Sequence, residues 1–285
     1  YRDLFVKTGM RIEHLLSLDP VDPSFTYIFH DGKKVLFPNL SHGGTVDAIT
    51  RSFGAEAGAA WHALLTRAEK MWDASREAFI ENELKLSSLF SRKNFARDLL
   101  TIAPWRSLRS LTTSYTDNPY LRKIIDRYAT YTGSDPRKVP AVLLTIAFVE
   151  EAFGAWHIQG GLGRLPEELE KRCTELGVQI YLNSQVEKIR TQNGVACGIT
   201  LADGTSIDAD IVIANADADY VYNHLLPRDS TTNKPRRSIK RSTPSLSGFT
   251  IALGLRGTSN LSHHTVLFPE NYDDEFDSIF TRQEP

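Results

Sequence analysis

The sequence predicts an α/β chain with α+β character, in which part of a Rossmann-like layer is interleaved with a mainly helical domain carrying a small mixed sheet. Three observations lead there. Apolar residues recur at helical spacing over much of residues 45–153. Residues 160–219 then run from a Gly-Gly pair through an amphipathic helix into short strands separated by turn dipeptides. The last of these strands, Ile-Val-Ile-Ala at 211–214, is apolar on both faces, as a strand covered on two sides would be.

Taken in order, the elements justify that class. The opening Tyr-Arg-Asp-Leu-Phe reads as a helix already under way, and the closing Gln-Glu-Pro follows a helix-like stretch at 272–280, so both ends are expected to be cut from a longer protein. After the loop DPVDPS, the run FTYIFHDGKKVLF places Asp31-Gly32 between two apolar, β-branched segments and predicts a hairpin. Val46, Ile49 and Phe53, then Trp61, Leu64, Leu65, Ala68, Trp72 and Phe79, predict two helices broken near Gly54 to Gly58. Further helices are expected at 95–100, 107–113, 119–131 and 139–153, punctuated by Pro104, Asn118-Pro119 and a turn at Gly133. Leu165, Leu169, Cys173 and Leu176 mark one more helix, closed by Gly177 and followed by a strand at 178–182. Asn193-Gly194 and Asp203-Gly204 then predict two hairpin turns. NKPRRSIKRS is expected to be a basic loop, and SGFTIALGL a long strand.

Length and composition narrow the classes. A chain of 285 residues with 41% hydrophobic side chains can bury a substantial core, and a net charge of −2 gives no field to gather nucleic acid. Cys173 and Cys197 have no zinc-like spacing, so no metal is expected, and free thiols suit a reducing cytoplasm. The longest apolar run, at 139–153, is too short to span a bilayer and is interrupted by Glu150 and Glu151. No G-x-S-x-G or H-E-x-x-H occurs. No G-x-G-x-x-G stands between a strand and a helix, so the turn that would hold a dinucleotide's pyrophosphate is missing.

WHIQGGLGRL at 156–165, ELGVQIYLNSQVEKI, GITLADGTSIDADIVIANADADYVYNHLLP, PSLSGFTIALGL and LSHHTVLFPENYDDEFDSIF together resemble the bacterial phytoene desaturase type of carotenoid desaturase, within the flavin-dependent amine oxidase-like superfamily. The resemblance covers nearly the whole chain. Its Gly-Gly-helix-Gly-strand pattern is shared by the superfamily, and His263-His264-Thr265 points to the carotenoid branch.

The resemblance implies FAD as cofactor and a lipophilic polyene as substrate, with hydride leaving to the flavin and a proton leaving separately. It implies a peripheral attachment to the membrane surface from the cytoplasmic side, through the helical block and with help from the basic residues at 234–241. It divides the chain into a substrate-binding and membrane-docking part at 1–155, a segment of the FAD-binding domain at 156–222, and a return to the substrate part at 223–285. It places an adenine contact at Val186 and close backbone approaches at Ala214, Asn215 and Ala216, and at Gly160 and Gly161. Taken on their own, Val186 also suits a strand core, Gly160-Gly161 a flexible entry to a helix, and Asn215 and Asp217 helix caps. Candidate proton acceptors are Asp98 with Arg97, and His157; His263 and His264 are expected to pair with backbone. A carotenoid isomerase, another amine oxidase-like flavoenzyme, or a binding remnant without redox chemistry are the alternatives.

Overall fold

A computed structural model describes residues 2–77, 95–242 and 244–284. The chain divides into two units: residues 1–166 with 245–285, and residues 167–244.

In the larger unit, the predicted hairpin is present as β2 (Phe25–Phe29) and β3 (Lys34–Phe37), antiparallel with Tyr27 opposite Val35. A third strand, β8 (Thr265–Phe268), joins β2 in parallel with Thr26 opposite Thr265. Alternation puts Tyr27 and Phe29 into the core from β2, and Val35 and Phe37 from β3. Two further short strands, β1 (Leu18–Pro20) and β4 (Trp156–Ile158), pair with each other. Neither this pair nor β8 is evident in the sequence pattern, because each is too short to show alternation.

Helices α2 (His42–Phe53) and α3 (Ala55–Ser75) pack on the hairpin. The break between them is at Gly54 alone, whose φ of 100° ends one helix and opens the next. Gly58 lies inside α3, where a Cβ would meet Thr50 Oγ1 at 2.0 Å; the two helices approach there too closely for any side chain. The buried face of α3 is Trp61, Leu64, Leu65, Ala68 and Met71, the expected stripe with Met71 in place of Trp72. Trp72 instead packs edge-on to Phe153, and Phe79 lies outside the described residues.

Among the described residues, the remaining α-helices of this unit are α1 (Arg2–Lys7), α4 (Phe95–Ile102), α5 (Leu108–Thr113), α6 (Pro119–Arg127), α7 (Thr145–Phe153) and α10 (Tyr272–Asp277). Asn118 caps α6 by accepting from the amides of Tyr120 and Leu121, with Pro119 filling the position that needs no donor. Residues 139–153 form not one helix but a 3-10 turn, Ala141–Leu144, leading into α7. Arg127 at the end of α6 is enclosed by the rings of Phe25, Tyr27, Tyr128 and Tyr131 and pairs with Glu150 of α7 at 3.1 Å, pinning two helices to the sheet.

Helix α8 (Arg164–Glu175) leads into the smaller unit and is closed as expected by Gly177, with φ of 83°. That unit contains an antiparallel meander of β5 (Val186–Gln192), β6 (Val195–Leu201) and β7 (Ser206–Asp208), turned at the two predicted dipeptides. Its small core joins Ile189 to Val221 and Leu225.

Three expected strands are not formed. Residues 178–182 and 211–214 have no ladder partner, and Ile211 and Ile213 are 78% and 88% exposed while Val212 turns inward. Residues 247–255 are likewise unpaired and exposed, Phe249 at 91%. A strand requires a neighbouring edge to satisfy its amides and carbonyls, and no described residues supply one to these segments. The expected basic loop is also corrected: residues 230–241 form helix α9 (Ser230–Arg241), started by a capping box between Asp229 and Thr232.

Candidate active site

The larger unit forms a chamber of about 1100 Å³, partly open to solvent, between α1, β1, β4 and the loop before β8. Its wall is mainly apolar, including Leu16, Phe153, Trp156, Leu162 and Leu165, with one ion pair, Arg2 to Glu13 (2.6 Å), among the lining residues. A backbone hydrogen bond and the Arg2 guanidinium hold the Glu13 carboxyl below the usual carboxylate range.

The entry into β4 is built from Asn39. Its side-chain amide donates to the carbonyl of Ala155 and accepts from the Ala155 amide, both at 2.9 Å. Gly154 must be glycine: its φ is 70° and a Cβ would lie 2.7 Å from Asn39 Oδ1 and from Leu40 Cδ2. This clamp sets where β4 begins, and β1 then holds His157 opposite Asp19.

Three imidazoles meet at the chamber. His157 Nδ1 lies 3.3 Å from His263 Nε2, and the rings of His263 and His264 are edge-on at 4.6 Å. His264 Nδ1 lies 3.0 Å from the carbonyl oxygen of Ser24, and its ring stacks on Phe25 at 5.1 Å. Burial, with His264 and His157 adding their charge, pulls the His263 imidazole below the ordinary histidine range. Of the two histidines expected to bond backbone, His264 does so; His263 pairs with His157.

The other sequence-derived candidates fall in separate places. Gly160 and Gly161, with φ of 84° and 93°, form the turn between β4 and α8, closed by the Gly161 amide donating to the carbonyl of Ile158 at 2.8 Å. No heavy atom stands within 4 Å of where a Gly161 Cβ would be, so the backbone there is open to a ligand. Arg97 and Asp98 sit on α4, 3.9 Å apart, and are not among the residues lining the chamber. Within the smaller unit, Val186 begins β5 opposite Leu201. Ala214, Asn215 and Ala216 are exposed in the run before a helical turn whose cap is Asp217, accepting from Asp219 and Tyr220. The positive-φ Gly160-Gly161 turn, with open space at Gly161, fits the close backbone approach that FAD requires. Among the described residues no group of histidine, cysteine or acidic side chains could hold a metal ion, and no helix is long and apolar enough to cross a membrane.

Residues 2–276 match the flavin containing amine oxidoreductases, and the chain belongs to that family. The flavin in that description agrees with FAD as its cofactor. Among curated relatives, a zeta-carotene-forming phytoene desaturase of Myxococcus xanthus is 29% identical over all of this chain and 54% of its own length. A lycopene-forming phytoene desaturase of Pseudescherichia vulneris is 28% identical over 98% of this chain and 56% of its own. The chain thus spans about half the length of the curated relatives it matches. A solved putrescine oxidase variant, 14% identical with a TM-score of 0.51 over 83% of this chain and 50% of its own, shares the fold.

Proposed function

We propose that the chain is part of an FAD-dependent desaturase that introduces C=C bonds into a lipophilic carotenoid precursor. The observation that carries this reading is the apolar chamber beside the Gly160-Gly161 turn. Bound FAD would supply the hydride acceptor, and the protein's task is to bind, orient and keep out water. Gly160 and Gly161 would hold the flavin on the chamber side, and Val186, Ala214, Asn215 and Ala216 its adenine half. The resemblance offers His157, which lines the chamber, and Asp98 with Arg97, which do not, as candidates for receiving the proton.

On the same reading, residues 156–222 serve the FAD-binding domain and the flanking parts serve substrate and membrane. The unpaired segments at 178–182 and 211–214 support this, since apolar strands without a ladder are what part of a larger sheet would leave. Leu99, Leu100 and Trp105, exposed at 38%, 65% and 62%, support a membrane-facing surface around α4. The attachment is peripheral and cytoplasmic.

The test uses the full-length protein, loaded with FAD, and phytoene dissolved in liposomes. Sedimentation with the liposomes and movement of polyene absorbance to longer wavelength are expected. Oxidation of a water-soluble amine only, with no conversion of the polyene, overturns the reading; a changed double-bond geometry without added conjugation would indicate isomerisation.

A further inference from the structure

We propose that His264 is the proton acceptor of the desaturation, through Nε2. The inference rests on the chamber being a polyene site served by a flavin. A carbonyl oxygen only accepts, so the contact with Ser24 places a proton on His264 Nδ1 and leaves the lone pair of the neutral ring on Nε2. Among the described residues no hydrogen bond is made to that atom, while the ring lines the chamber.

The ring is also held in place. It stacks on Phe25 with an interplanar angle of 26°, and the His264 carbonyl accepts from the Thr26 amide at 2.9 Å, which ties its backbone to β2. An imidazole oriented by an acceptor on one nitrogen and open on the other is the arrangement a general base requires. The charged and titratable groups that share the chamber are Arg2, Glu13, His157 and His263, and the Glu13 carboxylate is already engaged by Arg2.

The step balances as follows. One carbon loses hydrogen with its bonding electron pair, as hydride, to the oxidised flavin. The neighbouring C–H bond gives its electrons to the new C=C bond and its proton to His264 Nε2. The substrate thereby loses two hydrogens and two electrons.

Two measurements on the FAD-loaded full-length protein test this. His264→Gln is expected to slow anaerobic flavin reduction by phytoene at least about 100-fold, with flavin content and melting temperature unchanged. In the ¹⁵N-histidine spectrum of the wild-type protein, His264 is expected to carry its proton on Nδ1, with Nε2 unprotonated. A variant within about threefold of wild type, or an Nε2–H ring, overturns the proposal and leaves the polyene reading standing. If the variant loses flavin, the tautomer of the wild-type protein decides. A wild-type protein whose flavin is not reduced by the polyene overturns both.

Discussion

Asp126 shows how one buried side chain makes stability depend on pH. It is 1% exposed, and Arg109 Nε lies 2.7 Å from its Oδ2, close enough for an ion pair but not aligned for a hydrogen bond; its Oδ1 has no partner. Burial therefore outweighs the guanidinium and raises the carboxyl to about 6. Since the folded state keeps this proton to higher pH than the unfolded chain, the contribution of Asp126 is present at low pH and declines as pH rises from about 4 to 6. Asp126→Asn removes that decline. Arg109 retains Asp273, which it grips through both terminal nitrogens. In paired denaturation series at pH 4 and pH 7, the variant should gain on wild type by about 1–3 kcal/mol between the two. A stability difference that is flat with pH would contradict the assignment. None of this was legible in the sequence, where Asp126 is an ordinary helical aspartate; its burial depends on residues far away in the chain.

At the scale of elements, legibility followed how local each signal is. Asn118-Pro119, Asp31-Gly32, Asn193-Gly194, Asp203-Gly204 and Gly177 act on their own neighbours, and each marks a real boundary. The apolar stripe of α3 was equally readable. The segments at 178–182, 211–214 and 247–255 carry strand-like residues, but a strand depends on a partner elsewhere, and propensity cannot supply one. The opposite error concerned α9, read as a loop from its basic residues although Asp229 and Thr232 form a capping box in front of it. Asp229→Ala is expected to cost this helix about 1 kcal/mol, read as a lower unfolding midpoint, with Asp229→Asn nearly neutral. Equal midpoints for both variants would show that the cap does not hold the helix.

For the molecule as a whole, the sequence marked residues but not the space between them. Gly160-Gly161 and His157 were singled out by the resemblance, and the structure places them beside a chamber and pairs His157 with a residue 106 positions away. His263-His264 was visible as a family mark, while the tie between His264 and Ser24 arises only because β8 runs parallel to β2. If the chamber receives the polyene, Leu162→Arg in the FAD-loaded full-length protein should impair its conversion. Leu162 lines the chamber yet is 74% exposed, so the change adds a charge to an apolar wall with little effect on folding. Unchanged flavin content and melting temperature with at least about tenfold lower kcat/KM for the polyene are expected; wild-type turnover in that variant would place the polyene elsewhere.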